Sequence, residues 1–592
     1  MDGKRIRIGF LGLLGCFLLV VVRLFFWQVV NSAELKERAS DQHFSTLDIP
    51  SCRGRVFSSD GMVMATNQEK YLVYGLMDKL KSNPGKIARK LAPVILSEDP
   101  YLEMTIEEAT KSGVKVEKPK EERLEDLEDY IEKRLKLEDL SWVMIWPSVD
   151  KKTKKEIEKM EIAGIGFEVI EERYYPEAST SAHVLGFVGK DVAGEAKGYF
   201  GIEGYYNREL TGRDGKLIEE KDALGRPILI GSYLKQKPTD GADLYLTIDA
   251  GVQKILEENL KDGVEEFDAK GGVILVMEPT GRVVGMYGLP VYSLWHWQKF
   301  ESDLYKNPGV AKVYEPGSIM KPLVMAAAIN EKKVKPETKC LDCDGPRYIG
   351  GFKIETFDQN YYPGSTMTEV LIHSDNTGMV WVGETLGAEK MYKYFDKYGF
   401  GELTGIEVQE EEEGSLRDLS DWREIDVATS SFGQGVAVTP IQILTAFGTI
   451  ANDGYLYRPY MVEKIKDEER QILKDPERKE RVLKGSTSQV IKEMMVKVCE
   501  ESPLDFPRRR YKILDKFKIA AKSGTAQIPV EGKYTKDRTI ASVIGFFPAD
   551  EPKYLVLVSL FEPKTDIWGA NTAGPVFFET VSDLVKYFGI SP

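Results

Sequence analysis

Residues 8–30, IGFLGLLGCFLLVVVRLFFWQVV, constrain this chain more than any other segment: they are apolar apart from Arg23 and Gln28. At 1.5 Å rise per residue the run reaches about 34 Å as a helix, against a hydrocarbon core of roughly 30 Å. No other stretch of the 592 residues approaches 18 consecutive apolar residues, so the chain crosses a membrane at most once. Lys4, Arg5 and Arg7 precede the run. The positive-inside rule therefore places residues 1–7 in the cytoplasm and the bulk of the chain outside it. Arg23 has two readings: snorkelling to the outer interface, or a polar contact with a partner membrane helix. A cleaved signal peptide fits less well, because its apolar region is usually 7–15 residues. Leu13-Leu14-Gly15-Cys16 faintly resembles a lipoprotein cleavage box, but the apolar run continues well past Cys16.

The exported part is acidic. A net charge of −14 argues against a chain built to coat nucleic acid. Five cysteines exclude a disulfide-rich scaffold. Cys340 and Cys343 form a lone CxxC; zinc would need two further ligands, so a local disulfide and two free thiols both stay open. Cys52 and Cys499 lack obvious partners. The four histidines, His43, His183, His296 and His373, include no metal-binding pair of the HExxH kind. No metal and no cofactor is expected, and a catalytic base is expected to be something other than histidine.

Length alone suggests about four domains. Residues 31–240 read as a mixed α/β pedestal with a head at about 80–165. Within it, Leu124, Leu127, Ile131 and Leu135 mark one apolar stripe on an otherwise solvated helix. Glycines from Gly186 to Gly215 mark turns, and no phosphate loop is present. Composition shifts near residue 240. Leu244–Ile248 alternates like a strand and Asp249 caps a following helix. Residues 272–277 and 283–287 form a hairpin; 542–547 and 554–561 are strands; 576–587 is a closing helix. Strands at both ends with helical sequence between them predict an α+β domain over 241–592, built on an antiparallel sheet.

Three short motifs stand in this second half: Ser318-Ile319-Met320-Lys321, Ser374-Asp375-Asn376 and Lys522-Ser523-Gly524-Thr525. On a helix, residues i and i+3 share a face, so Ser318 and Lys321 can touch. Pro322 is tolerable in the first turn. A serine hydroxyl needs a base, and Lys321 is the candidate if burial and the charge of Lys522 favour its neutral form. The Ser318 N–H at the helix start can serve a developing oxyanion. Ser374 can relay a proton to or from an amine, and Asn376 can hold Lys321 and a substrate amide. Asp375 should point away. The third motif reads as a sheet-edge strand. There Lys522 supplies charge, and Ser523, Gly524 and Thr525 are the candidate substrate-binding and oxyanion residues: Ser523 can bind a carboxylate and the Thr525 N–H can complete an oxyanion hole. His373 and the acidic run Glu410–Glu413 read as structural, the latter as a solvated loop.

The S-x-x-K, S-D-N and K-T-G order resembles that of penicillin-binding proteins and class A β-lactamases. Extended over the chain, the pattern is similar to class B (monofunctional) penicillin-binding proteins. The resemblance includes the anchor exit at Arg23–Val29, Arg53-Gly54-Arg55 with Asp60-Gly61, Arg173-Tyr174-Tyr175-Pro176, Gly201-Ile202-Glu203, and Ser431-Phe432-Gly433-Gln434-Gly435 before Thr439-Pro440. Ala182–Gly186 and Phe432–Val438 look more like the division (septal) branch than the elongation branch; residues 80–165 depart most from the pattern.

The resemblance implies a serine β-lactamase-like transpeptidase domain and a single-pass protein of the bacterial plasma (inner) membrane. The implied activity is D,D-transpeptidation of stem peptides ending in D-Ala-D-Ala, with β-lactams as covalent inhibitors. The implied partners are a SEDS-family glycan polymerase and other division proteins, with Arg23 and the pedestal at the contact. A carboxypeptidase or β-lactamase on the same scaffold, and a catalytically silent division scaffold, are the alternatives.

Overall fold

The computed structural model describes residues 3–36, 44–111, 113–137, 140–176, 180–220, 228, 233–530 and 533–592. These fall into two compact units, one made of Met1–Arg53 with Thr211–Gly241, the other of Gly54–Leu210 with Ala242–Pro592.

In the first unit the apolar run is helical from Gly3 to Phe25 and continues as one wider π turn over Phe26–Val30. Among the described residues this is the one helix long and apolar enough to cross a membrane. The Arg23 guanidinium lies over the rings of Trp27, at 5.0 Å, and Phe26, at 5.7 Å. The aromatic residues at the anchor exit thus shield the charge within the same helix. The unit also holds a three-stranded antiparallel sheet in the order Phe44–Ile49, Gly215–Glu220, Tyr233–Gln236.

The second unit contains a helical and stranded part at about 80–165, a sheet that joins N-terminal to C-terminal sequence, and the layers of the C-terminal half. In the first of these, helices Pro84–Leu96 and Lys120–Arg134 pack Ile87, Leu91, Leu127 and Ile131 against Val73 and Ile145 of the strands below. The predicted stripe is the buried one; most of the charged remainder of Lys120–Arg134 faces solvent, but Arg123 turns in to Asp99, at 3.2 Å, and Arg134 donates to Met144 O at 3.0 Å. A seven-stranded sheet then runs Gln471–Leu473, Val462–Lys466, Asp243–Leu246, Val56–Phe57, Val63–Leu76, Trp142–Val149, with Ile165–Tyr174 also paired to Val63–Leu76. Its members come from residues 56 to 473, so N-terminal and C-terminal sequence share one hydrogen-bonded sheet.

Three pedestal motifs meet beneath it. Arg173 donates from Nε to Glu203 Oε1 at 2.6 Å, and from Nη1 to Gly54 O at 2.7 Å and Asn67 Oδ1 at 3.1 Å. The ion pair is buried, with side chains 4% and 0% exposed. Removing one partner of such a pair strands the other charge, so Glu203→Ala is expected to cost about 3–5 kcal/mol. Urea unfolding of the detergent-solubilised chain measures it, and an unchanged midpoint contradicts the assignment.

The centre of the C-terminal half is a five-stranded antiparallel sheet in the order Val283–Leu289, Gly271–Met277, Tyr554–Phe561, Lys533–Phe547, Ala520–Val530. Every residue of Gly271–Met277 is buried. Val273, Leu275 and Met277 join the large helical core, while Ile274 and Val276 face a second core with helices Ala250–Glu266 and Ala573–Phe588. Burial on both faces is why this strand reads as an unbroken apolar run rather than an alternation. Asp249 caps Ala250–Glu266 as expected, accepting from Val252 N at 2.9 Å. Cys340 and Cys343 form a disulfide. Cys499 is buried.

The acidic run corrects the expectation of a solvated loop. Glu410 is buried and accepts from Gly201 N at 2.8 Å, with Gln409 accepting from Phe200 N at 2.7 Å. Burial pushes the Glu410 carboxyl up to about 7. Glu411 is half-buried and accepts from Gly405 N at 3.0 Å. Glu407, just before the run, is buried on Met461 N, Val462 N and the Tyr206 hydroxyl. Glu407 and Glu410 tie residues 201–206 to the C-terminal half, a role that charge density alone conceals.

Candidate active site

Ser318 sits on a single 3-10 turn, Gly317–Met320, and the α-helix proper starts at Lys321 and runs to Asn330. This helix is buried on all sides over most of its length, so Lys321 is carried into the core with no exposed surface. Pro322 falls within the helix start, where its missing N–H costs little. Gly317 takes φ +58°, and its N–H donates to Gly433 O at 2.9 Å. Gly433 has φ +86°, and a Cβ there would lie 2.2 Å from Gly317 O. Tyr314 and Val438 exchange backbone hydrogen bonds at 3.0 and 2.9 Å, and Gly435 N donates to Glu315 Oε1 at 2.8 Å. The Ser431–Gly435 segment is thus the brace of the Ser318 turn. Gly433→Ala must push that turn aside, and a shift of about 1 Å at a reacting group costs on the order of 10²-fold in rate. Acylation time courses read this directly; wild-type rates would exclude the bracing role.

The second motif lies between helices Met367–Ile372 and Asn376–Leu386. Ser374 adopts φ +53°, a left-handed conformation that costs a non-glycine residue roughly 1–2 kcal/mol. It is held there by Asp375 N donating to Val370 O at 2.9 Å. Asp375 turns back on its own helix, accepting from Thr377 N at 2.8 Å and Gly378 N at 3.1 Å. The strained turn aims both the hydroxyl and the carbonyl of Ser374 at Lys321.

Lys321 Nζ donates to Ser374 O at 2.5 Å and Asn376 Oδ1 at 2.8 Å and lies 3.2 Å from Ser374 Oγ, a hydroxyl that donates to the amine when the lysine is neutral. Lys522 Nζ donates to the same Ser374 Oγ at 3.0 Å and to Ser523 O at 2.9 Å. Two buried amines therefore share one hydroxyl. Burial, and then the Lys522 charge, hold Lys321 well below the ordinary lysine range, with Asp375 opposing. Burial alone pushes Lys522 down to about 7. The expected Ser318–Lys321 pairing is not a hydrogen bond here: the lysine is spent on the second motif, and Ser318, half-buried, makes no side-chain hydrogen bond among the described residues. Asn376 Nδ2 donates to Glu355 O at 2.9 Å.

The third motif lies on Ala520–Val530, the edge strand of the sheet, as expected. On an edge strand part of the backbone N–H row has no strand partner and is open to a ligand. Gly524 passes so close to the Ser318 turn that a Cβ would lie 2.9 Å from Ile319 Cγ2 and 3.2 Å from Ile319 N. Glycine is what permits that approach. Ser523 and Thr525 are half-buried, and Thr525 Oγ1 accepts from Gly569 N at 3.0 Å. All three motifs thus converge.

The described histidines stand elsewhere. His183 is buried against Leu304 O at 2.9 Å and pushed down to about 4. His296 lies edge-on to Tyr101, and His373 stacks on Tyr362 at 3.8 Å. His43 lies outside the described residues. One pair escaped sequence reasoning. Phe357 and Trp568, 51% and 36% exposed, meet with ring centroids 5.1 Å apart. Phe357 follows Glu355, which holds Asn376; Trp568 precedes Gly569, which holds Thr525. The rings join the second-motif loop to the third-motif loop, and their separation in sequence left no local signal.

Residues 271–582 match the family model of the penicillin binding protein transpeptidase domain, and residues 48–246 match that of the penicillin-binding protein dimerisation domain. The chain belongs to the class B penicillin-binding proteins. Stage V sporulation protein D of Bacillus subtilis is 31% identical to this penicillin-binding protein over 588 residues, covering 97% of this chain and 84% of that one. Peptidoglycan D,D-transpeptidase FtsI of Escherichia coli is 28% identical over 439 residues, 74% of this chain and 71% of its own. In fold, it resembles penicillin binding protein 2X from Streptococcus thermophilus, with a TM-score of 0.69 over 92% of this chain and 80% of that one at 23% identity. With its single N-terminal apolar helix, this penicillin-binding protein is membrane-anchored.

Proposed function

We propose that this chain is a peptidoglycan D,D-transpeptidase in which Ser318 is the nucleophile and Lys321 its base. The observation that carries the reading is the pair of buried amines, Lys321 and Lys522, on the hydroxyl of Ser374 beside the braced Ser318 turn. Ser318 Oγ attacks the carbonyl between the last two D-alanines of a stem peptide, and its proton passes to neutral Lys321. The Ser318 and Thr525 N–H groups take the oxyanion. Collapse of the intermediate breaks the C–N bond, and the departing D-Ala amine receives a proton through Ser374. A second stem's amine then attacks the ester, yielding the cross-link and free Ser318. Lys522 and Ser523 bind the terminal carboxylate, Gly524 lets the edge strand approach, and Asn376 orients Lys321 and a substrate amide.

In this reading residues 1–7 are cytoplasmic, 8–30 the anchor in the plasma membrane, 31–240 the pedestal with its head at 80–165, and 241–592 the catalytic domain outside. We place the enzyme on the division branch, acting with a SEDS-family polymerase; relatives named FtsI support that placement.

The test is covalent. On incubation with a β-lactam, intact mass rises by one inhibitor and the adduct maps to the peptide holding Ser318. An adduct on another residue, or rapid turnover of a chromogenic cephalosporin, overturns the assignment.

A further inference from the structure

A cavity of about 320 Å3 opens at the far end of the helix that begins with Lys321. Its walls carry Lys390, Lys393, Lys397, Arg481 and Lys484 against one carboxylate, Glu331. That is a concentrated positive site in a chain of net charge −14. The helix Lys321–Asn330 separates it from the acyl-transfer site by about 14 Å of rise.

The walls are already built. Asn330 donates to the Tyr394 hydroxyl at 2.6 Å and accepts from Lys484 N and Thr487 Oγ1, both at 2.9 Å, so three separate segments are knitted around it. Arg481 is held by Leu483 O at 3.2 Å and lies 5.0 Å over the Tyr455 ring. The charge, by contrast, is not balanced. Glu331 serves Lys390 at 2.5 Å and Glu480 serves Lys397 at 3.5 Å. Lys393 and Lys484 have no ion pair among the described residues. Lys390, Lys393 and Lys397 recur at i, i+3 and i+7 along Ala388–Lys397, a like-charged spacing that by itself destabilises a helix. An anionic occupant offsets that cost.

The geometry points to an oligophosphate or phosphodiester segment as the ligand, bound through at least two phosphate groups. From Lys390 to Lys397 the helix rises about 10 Å, longer than a single phosphate. Lysine ammoniums bind phosphates as point charges, and Arg481 adds a planar fork that a phosphate takes through two oxygens. The proposal stands apart from the acyl-transfer assignment, since none of these residues takes part in it.

Calorimetry of the detergent-solubilised full chain with tripolyphosphate, at fixed ionic strength, tests it. Saturable binding tighter than that of orthophosphate is expected. The double variant Lys393→Ser, Lys484→Ser should weaken it about tenfold, the loss of two ion pairs of under 1 kcal/mol each. The same variant should acylate Ser318 at the wild-type rate, which excludes misfolding as the cause. Competition by a soluble glycerol-phosphate oligomer assigns the source to a wall polymer; competition only by an anionic phospholipid in the micelle assigns it to a headgroup. Equal binding of orthophosphate and tripolyphosphate, no saturation, or an unaffected double variant overturns the proposal.

Discussion

Ser318→Ala abolishes covalent labelling by a fluorescent penicillin and lowers transpeptidation at least about 10⁴-fold, as removal of a serine nucleophile does in other acyl-transfer enzymes. The fold should survive. The Ser318 side chain is half-buried with no hydrogen bond of its own among the described residues, so its loss strands no buried partner. The turn is held by Gly433 O on Gly317 N, a bond between backbones that the variant keeps. Thermal unfolding should therefore be near wild type while labelling disappears. Labelling equal to wild type would remove Ser318 from its role, and loss of labelling together with collapse of the thermal transition would leave the turn, not the hydroxyl, as the cause.

Lys321→Met removes the base and is expected to slow acylation by about 10²–10⁴-fold, the range of general-base contributions. The same amine sets one side of the pH profile. Lys321 acts neutral, and burial beside Lys522 holds it well below the ordinary lysine range, so its neutral fraction at pH 7 far exceeds that of a free lysine. Acylation should rise with pH as Lys321 loses its proton. Lys522 acts charged, and with burial pushing it to about 7, its charge fades above neutrality. The alkaline side of the profile should therefore fall. Lys522→Arg, charged at every pH in reach, should abolish that fall even if the rate is lower throughout. A rate that climbs monotonically to pH 10 in the wild type would show that Lys522 is not needed as a cation.

Much of the fold is legible locally because burial on one or both faces leaves a period in the sequence. The stripe Leu127–Ile131, the Asp249 cap and the hairpin at 271–289 were each specified by neighbours within a few residues. Glu410 shows where that ends. A run of acids reads as solvated because charge prefers water, but four chain-distant partners, Gly201, Phe200, Tyr206 and Val462, supply the hydrogen bonds that let Glu407, Gln409 and Glu410 be used at a junction. The same limit hid Phe357 and Trp568, whose contact has no sequence period.

The sequence by itself determined that there is an apolar N-terminal helix, an α+β C-terminal half on an antiparallel sheet, and three short motifs in which lysine is the candidate base, since these depend on residue type and short spacing. Only the tertiary structure decided that Lys321 and Lys522 meet on one hydroxyl, that Ser374 is held left-handed to receive them, and that Lys321 is spent on Ser374 and Asn376 rather than on Ser318. The physical reason is that an amine's proton affinity and its partners are set by what surrounds it. Those surroundings come from segments tens to hundreds of residues away, brought together only when the helix of Lys321 is buried against the sheet edge that carries Lys522.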